Sequence, residues 1–123
     1  MQYVIVDTSS MLYGFAHGKD AIEAAQKHFH GRGILLSGAI IRELRGISRN
    51  RGKKGLTAKL ALLSIRSKKI KVDDINGPAD EWIAEAAENE RVYATVTNDT
   101  RLFNRLRSKG ALVFKFSRDG KIK

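Results

Sequence analysis

The chain has 123 residues, with 23 Lys and Arg against 13 Asp and Glu, a formal net charge of +10 and no cysteine. Its length suits a single domain over residues 1–123, able to bury roughly two-thirds of the surface its unfolded form exposes. The missing thiols exclude disulfides, thiolate zinc, iron–sulfur clusters and a cysteine nucleophile, and the lack of a ~20-residue apolar run or a secretion signal leads us to expect a soluble, cytoplasmic protein without membrane contact.

Residues 2–7 (QYVIVD) predict a short buried strand ending in Asp, followed by a helix over Thr8–His17 that Thr or Ser can cap. Asp20 to His28 predicts a second helix with Asp20 as its cap, and Gly33–Ser37 (GILLS) a second strand. Ile40, Ile41, Leu44 and Ile47 form the apolar stripe of a helix that Ser37 caps. A basic loop broken by glycines comes next, then a helix whose stripe reads Leu56, Leu60, Leu63 and Ile65. Ile70–Asp73 is a third strand candidate, and Pro78 belongs in the first turn of a helix through Trp82, Ile83, Ala86 and Ala87. Val92–Val96 predicts a fourth strand, Leu102, Phe103 and Leu106 a helix, and Ala111–Phe116 a fifth strand, with a basic tail from Ser117.

Strands alternating with helices imply a parallel sheet covered on both faces. Ligands of such sheets bind beyond the carboxyl ends of the strands, where strand order reverses. Asp7 falls directly after the first predicted strand and Asp99 just past the fourth, whereas Asp80 and Glu43 lie at the edges of helical apolar stripes. Each has an ordinary structural explanation: Asp80 favours a first helical turn, Asp99 caps a helix, and Glu43 pairs with Arg42 or Arg45. As a group they are harder to explain, because carboxylates about 4 Å apart repel by roughly 4 kcal/mol at an effective dielectric of 20. Such a cluster needs raised pKa values or a cation, and all-oxygen ligands favour magnesium or manganese over zinc.

Charge is also segregated along the chain. Residues 42–71 carry net +10, residues 72–99 net −7, and residues 101–123 net +7. A block such as RNRGKKG, with Arg49, Arg51, Lys53 and Lys54, suits the phosphates of a polyanion. Arg101 and Arg105, one helical turn apart beside Asp99, suit phosphates or solvent equally.

The segments VIVDTSSMLYGF, IIRELRGI, PADEWIAEAA and ATVTNDTRLFNRL together resemble a PIN-domain ribonuclease over essentially the whole chain. The resemblance implies a three-layer α/β/α fold with a five-stranded parallel sheet. It also implies a metal-dependent endoribonuclease in which Asp7, Glu43, Asp80 and Asp99 are the catalytic acids and hold Mg2+ or Mn2+. Thr8, Ser9, Thr97 and Asn98 match the polar neighbours that orient the acids or a metal-bound water. Many relatives carry a further acid where this chain has Arg101 and Leu102, a departure that favours one metal over two.

Arg49, Arg51, Lys53, Lys54, Arg101 and Arg105 are the RNA-binding candidates. The resemblance covers both an rRNA-processing branch, with ribosomal precursor particles as partners, and VapC-type toxins, with an antitoxin as partner. A non-catalytic RNA-binding PIN module and a homodimer are also compatible with it. A receiver domain of two-component signalling shares the alternation, but it expects paired acids where Asp7 is followed by Thr8 and Ser9. His28 and His30 read as surface groups, and Trp82 and Tyr93 as core.

Overall fold

The β-branched run YVIV forms β1 (Tyr3–Val6), buried over its last three residues. The computed structural model describes residues 2–68, 70–74 and 77–123. After β1 come α1 (Thr8–Ala16), α2 (Ala21–His28), β2 (Gly33–Ser37), α3 (Gly38–Ser48) and α4 (Lys53–Ser67). The second half contributes β3 (Lys71–Asp73), α5 (Ala79–Ala86), β4 (Val92–Val96), α6 (Thr100–Ser108) and β5 (Val113–Phe114). All pairings among these strands are parallel, in the order β3-β2-β1-β4-β5.

Right-handed crossovers explain the layering. From β1 the chain steps outward to β2 and β3, which puts α1 to α4 on one face; it then returns past β1 to β4 and β5, which puts α5 and α6 on the other. Packing agrees, since α4 lies against α1 and α3, and α5 against α6. Val4, Ile5, Val6, Leu35 and Leu36 form the buried centre, with Met11, Ile22, Ile40, Leu44, Ile83 and Leu106 contributed by the helices. The expected caps of α2 and α3 hold, whereas α1 begins after Asp7 with no Thr or Ser cap and Pro78 is the N-cap of α5 instead of a first-turn residue. Asp20 accepts hydrogen bonds from the amides of Ile22 and Glu23, and Ser37 from that of Ile40.

Five local expectations need correction. The helix α4 begins at Lys53, so Lys53 and Lys54 form its first turn instead of lying in the basic loop. Its buried residues are Gly55, Thr57, Ala58, Ala61 and Ser64, whereas Leu56 and Leu63 are each 56% exposed and Leu60 36%. Close approach of the helix to its neighbours is the cause. A Cβ at Gly55 would overlap the carbonyl oxygen of Asn50, and of the predicted stripe only Ile65, beside Leu62, packs half-buried against the core.

The sequence also misplaces Tyr93, which is 36% exposed and lies under the guanidinium of Arg32, 3.6 Å from its ring centroid. The fifth strand is only Val113–Phe114. Finally, the basic tail folds back as a hairpin: Phe116 bridges antiparallel to Ile122, and the Ser117 amide donates to the Lys121 carbonyl at 2.8 Å. Phe116 and Ile122 are both buried, and Phe116 fits against α1 only because position 14 is glycine, whose Cβ would lie 2.8 Å from the ring. No helix among the described residues is long and apolar enough to cross a membrane.

Candidate active site

Strand order reverses between β1 and β4, since the chain leaves β1 toward one edge of the sheet and β4 toward the other. Val6 pairs with Val96 at the carboxyl end of this seam. Asp7 is the next residue, and its amide donates to the Val96 carbonyl at 2.9 Å. It occupies the N-cap position of α1, yet its carboxylate caps nothing. The hydroxyls of Ser9 (2.7 Å) and Thr97 (2.8 Å) both donate to Asp7 Oδ2 instead. With their protons committed to the carboxylate, these hydroxyls accept from the chain behind them, Ser9 from the amide of Asn98 at 2.9 Å and Thr97 from that of Asp99 at 3.1 Å. Two backbone amides thus polarise two hydroxyls, which polarise one carboxylate.

Burial sets the character of Asp7. Only 4% of the residue is exposed, and desolvation raises its pKa above the ordinary 3.8. The Ser9 and Thr97 hydroxyls act in the opposite direction, while the negative charges of Asp80 and Glu43 raise it further. Asp80, in the first turn of α5, and Glu43, on α3, are exposed side chains that act on Asp7 through space. Asp99 is the N-cap of α6, where Oδ1 accepts from the Leu102 amide at 3.1 Å. Asp80 and Asp99 line one cleft of about 370 Å³ together with Glu81, Arg101, Leu102 and Arg105.

The other candidates divide by role. Thr8 is buried, but its hydroxyl has no hydrogen-bond partner among the described residues. The Asn98 side chain does not touch Asp7. It accepts from the Ser10 hydroxyl (2.7 Å) and the Phe116 amide (3.0 Å), and donates to the Phe116 carbonyl (2.8 Å), so it fastens the C-terminal hairpin to the rim. Arg105 is held in a fork by Glu81 (3.0 and 3.2 Å), whereas Arg101 has no ion-pair partner among the described residues. Arg49, Arg51, Lys53 and Lys54 are exposed around the α3–α4 turn. Sequence reasoning missed Ser10, Glu81 and Phe116, all of which act through partners distant in the chain.

A family model for the PIN-like domain matches residues 4–118. The chain belongs to the PIN-like domain family. Among solved structures, the PIN domain endonuclease Utp24 superposes with a TM-score of 0.70 at 17% identity, covering 98% of this chain and 88% of its own. A domain of a functionally unknown protein from Methanocaldococcus jannaschii DSM 2661 superposes with a TM-score of 0.62 at 18% identity, covering 95% and 92%. At such identities the likeness establishes the fold. No curated protein sequence matches. Family membership and an endonuclease among the structural neighbours support a nuclease-type function in general terms.

PIN-domain nucleases generally use divalent metals. The donor chemistry of this PIN-like domain fits a hard cation, since Asp7, Glu43, Asp80 and Asp99 offer oxygen only. Hydroxyl bonds occupy Oδ2 of Asp7 and the helix cap occupies Oδ1 of Asp99, so each keeps its second oxygen without a hydrogen-bond partner among the described residues. The acids raise the pKa of Asp7, and a cation would reverse that repulsion. Among the described residues no three His, Cys, Asp or Glu side chains form a closed ligand group.

Proposed function

We propose that this PIN-like domain is a metal-dependent endoribonuclease that hydrolyses phosphodiester bonds of structured RNA. The observation that carries the reading is Asp7, a carboxylate buried at the switch point, anchored through one oxygen and pushed toward protonation by two further acids. Without a ligand such an arrangement costs stability, which is characteristic of a site kept for chemistry. Asp7, Glu43, Asp80 and Asp99 would hold Mg2+ or Mn2+, which when bound polarises a phosphodiester and lowers the pKa of a water.

The chain's own groups supply the rest. Ser9 and Thr97 hold Asp7 Oδ2 and leave Oδ1 for ligation. Glu43 and Asp80, exposed side chains whose charges already reach Asp7, would complete the oxygen donors. Arg101 lies in the cleft with Asp80 and Asp99 and is available to a phosphate, whereas Arg105 is already neutralised by Glu81. The exposed cations Arg49, Arg51, Lys53 and Lys54 hold the RNA backbone without reading sequence.

The test is cleavage of single-stranded and structured RNA in magnesium or manganese by the wild type and by Asp7→Asn. We expect cleavage to be abolished in the variant, with RNA binding intact or tighter. Equal turnover by the two proteins refutes the reading, and full binding by both with cleavage by neither assigns the fold to a non-catalytic RNA-binding module.

A further inference from the structure

Helix α4 carries large apolar side chains on its outward side as well as its inward one. Gly55, Thr57, Ala58, Ala61 and Ser64 are buried, Leu62 and Ile65 are half-buried against the core, and Leu56, Leu60 and Leu63 lie outward at i, i+4 and i+7. These are three of the six large apolar side chains exposed among the described residues. Packing within the chain does not require them there. A contiguous apolar ridge on one helix marks a contact surface.

What covers it is indicated by charge. The segment KKGLTAKLALLSIRS contains Lys53, Lys54, Lys59 and Arg66 and no acid. At 100° per residue, Lys59 and Arg66 fall along one flank of the Leu56–Leu63 line. Neither has an ion-pair partner among the described residues. A second copy of this chain would bring two such cationic helices together. Aliphatic side chains also offer little to RNA bases or phosphates. We propose that the outward face of α4 docks an acidic amphipathic helix of a partner protein, with apolar residues at i, i+4 and i+7 and Glu or Asp beside them.

The test uses two labelled peptides with leucines at that spacing, flanked by Glu in one and by Lys in the other, titrated with the full chain by fluorescence anisotropy. We expect the Glu peptide alone to bind, with affinity falling about tenfold for each of Leu56→Ser and Leu63→Ser. The double variant Lys59→Glu/Arg66→Glu should reverse the preference between peptides. Because both leucines are more than half exposed, the serine variants should melt at the wild-type temperature, which separates loss of docking from loss of fold. Equal binding of the two peptides, binding of neither, or serine variants that bind as the wild type does overturns the proposal. A matching loss of RNA binding in the serine variants assigns the face to RNA, and a wild-type dimer that dissociates on Leu63→Ser assigns it to a second copy. Either outcome also overturns the proposal.

Discussion

Thr97→Val removes one hydroxyl from the centre of the site and leaves the shape of the side chain nearly unchanged. Thr97 is fully buried, so water cannot replace what is lost. Its hydroxyl donates to Asp7 Oδ2 at 2.8 Å, a bond to a charged group that contributes about 1.5–3 kcal/mol. It also accepts from the Asp99 amide at 3.1 Å, and leaving that donor unpaired costs a further ~1 kcal/mol or more. Together these give a destabilisation of about 3 kcal/mol, or a fall in Tm of roughly 12 °C for a chain of this size.

The part carried by the Asp7 charge can be separated by calorimetry of Thr97→Val, Asp7→Asn and the double variant. A neutral amide at position 7 makes only ordinary hydrogen bonds, so the valine should cost about 1–2 kcal/mol less in the Asp7→Asn background. Dependence on pH supplies a second check. Because the folded-state pKa of Asp7 lies above 3.8, the folded chain holds this proton more tightly than the unfolded chain does. Thr97→Val raises the pKa further, so its cost should be largest above that pKa and shrink as pH falls through it. A valine penalty equal in both backgrounds and flat with pH would refute a charge-assisted relay onto Asp7.

Asp7→Asn should itself raise the neutral-pH Tm by several degrees, because it removes a buried charge whose cost is fully present above its raised pKa; melts of both proteins should converge as pH approaches 3.8. Asp20→Ala should cost about 2 kcal/mol in chemical denaturation, since its carboxylate caps α2 and also accepts from Ser64 and Lys68. Its lowered pKa places that contribution above 3.8, to be lost as pH falls through the folded-state value. Gly55→Ala should unfold the chain or severely destabilise it, because the new methyl overlaps the Asn50 carbonyl; circular dichroism thermal scans suffice. Neutralising Arg49, Arg51, Lys53 and Lys54 together should reduce the slope of log K against log salt for single-stranded RNA by about 3, at roughly 0.7 per phosphate contact.

Asp7 stands out in the sequence because a carboxylate that ends a run of buried β-branched residues has an unusual environment, and Asp99 because it precedes a helix it can cap. The caps at Asp20 and Ser37 are legible for a similar reason, since each depends on residues two or three positions away. The inverted face of α4 is not legible, because hydrophobic periodicity takes leucine as the inward residue and cannot see how closely α1 and α3 approach. The hydroxyl relay is legible only in its residue types. Ser9 and Thr97 read as polar neighbours of the acids, but their donation to one oxygen requires β1 and β4 to be adjacent. The side-chain partners of Asn98, Ser10 and Phe116, lie far from it in sequence and have no local signal either. Fork pairing between Glu81 and Arg105, across 24 positions, arises from the packing of α5 on α6 and has no local signal.

The relay onto Asp7 also fixes when, during synthesis, the site can exist. Thr97 leaves the ribosome 90 residues after Asp7. Until then the first strand lacks its central neighbour, and its terminal carboxylate remains an ordinary hydrated group with an ordinary affinity for protons. Docking of β4 buries that carboxylate and supplies the Thr97 hydroxyl together with the amides of Asn98 and Asp99 that polarise both hydroxyls. The electrostatic character of the site therefore switches on late and cooperatively, and a nascent chain stalled before Thr97 carries the acids Asp7, Glu43 and Asp80 without the environment that makes Asp7 unlike any other aspartate in the molecule.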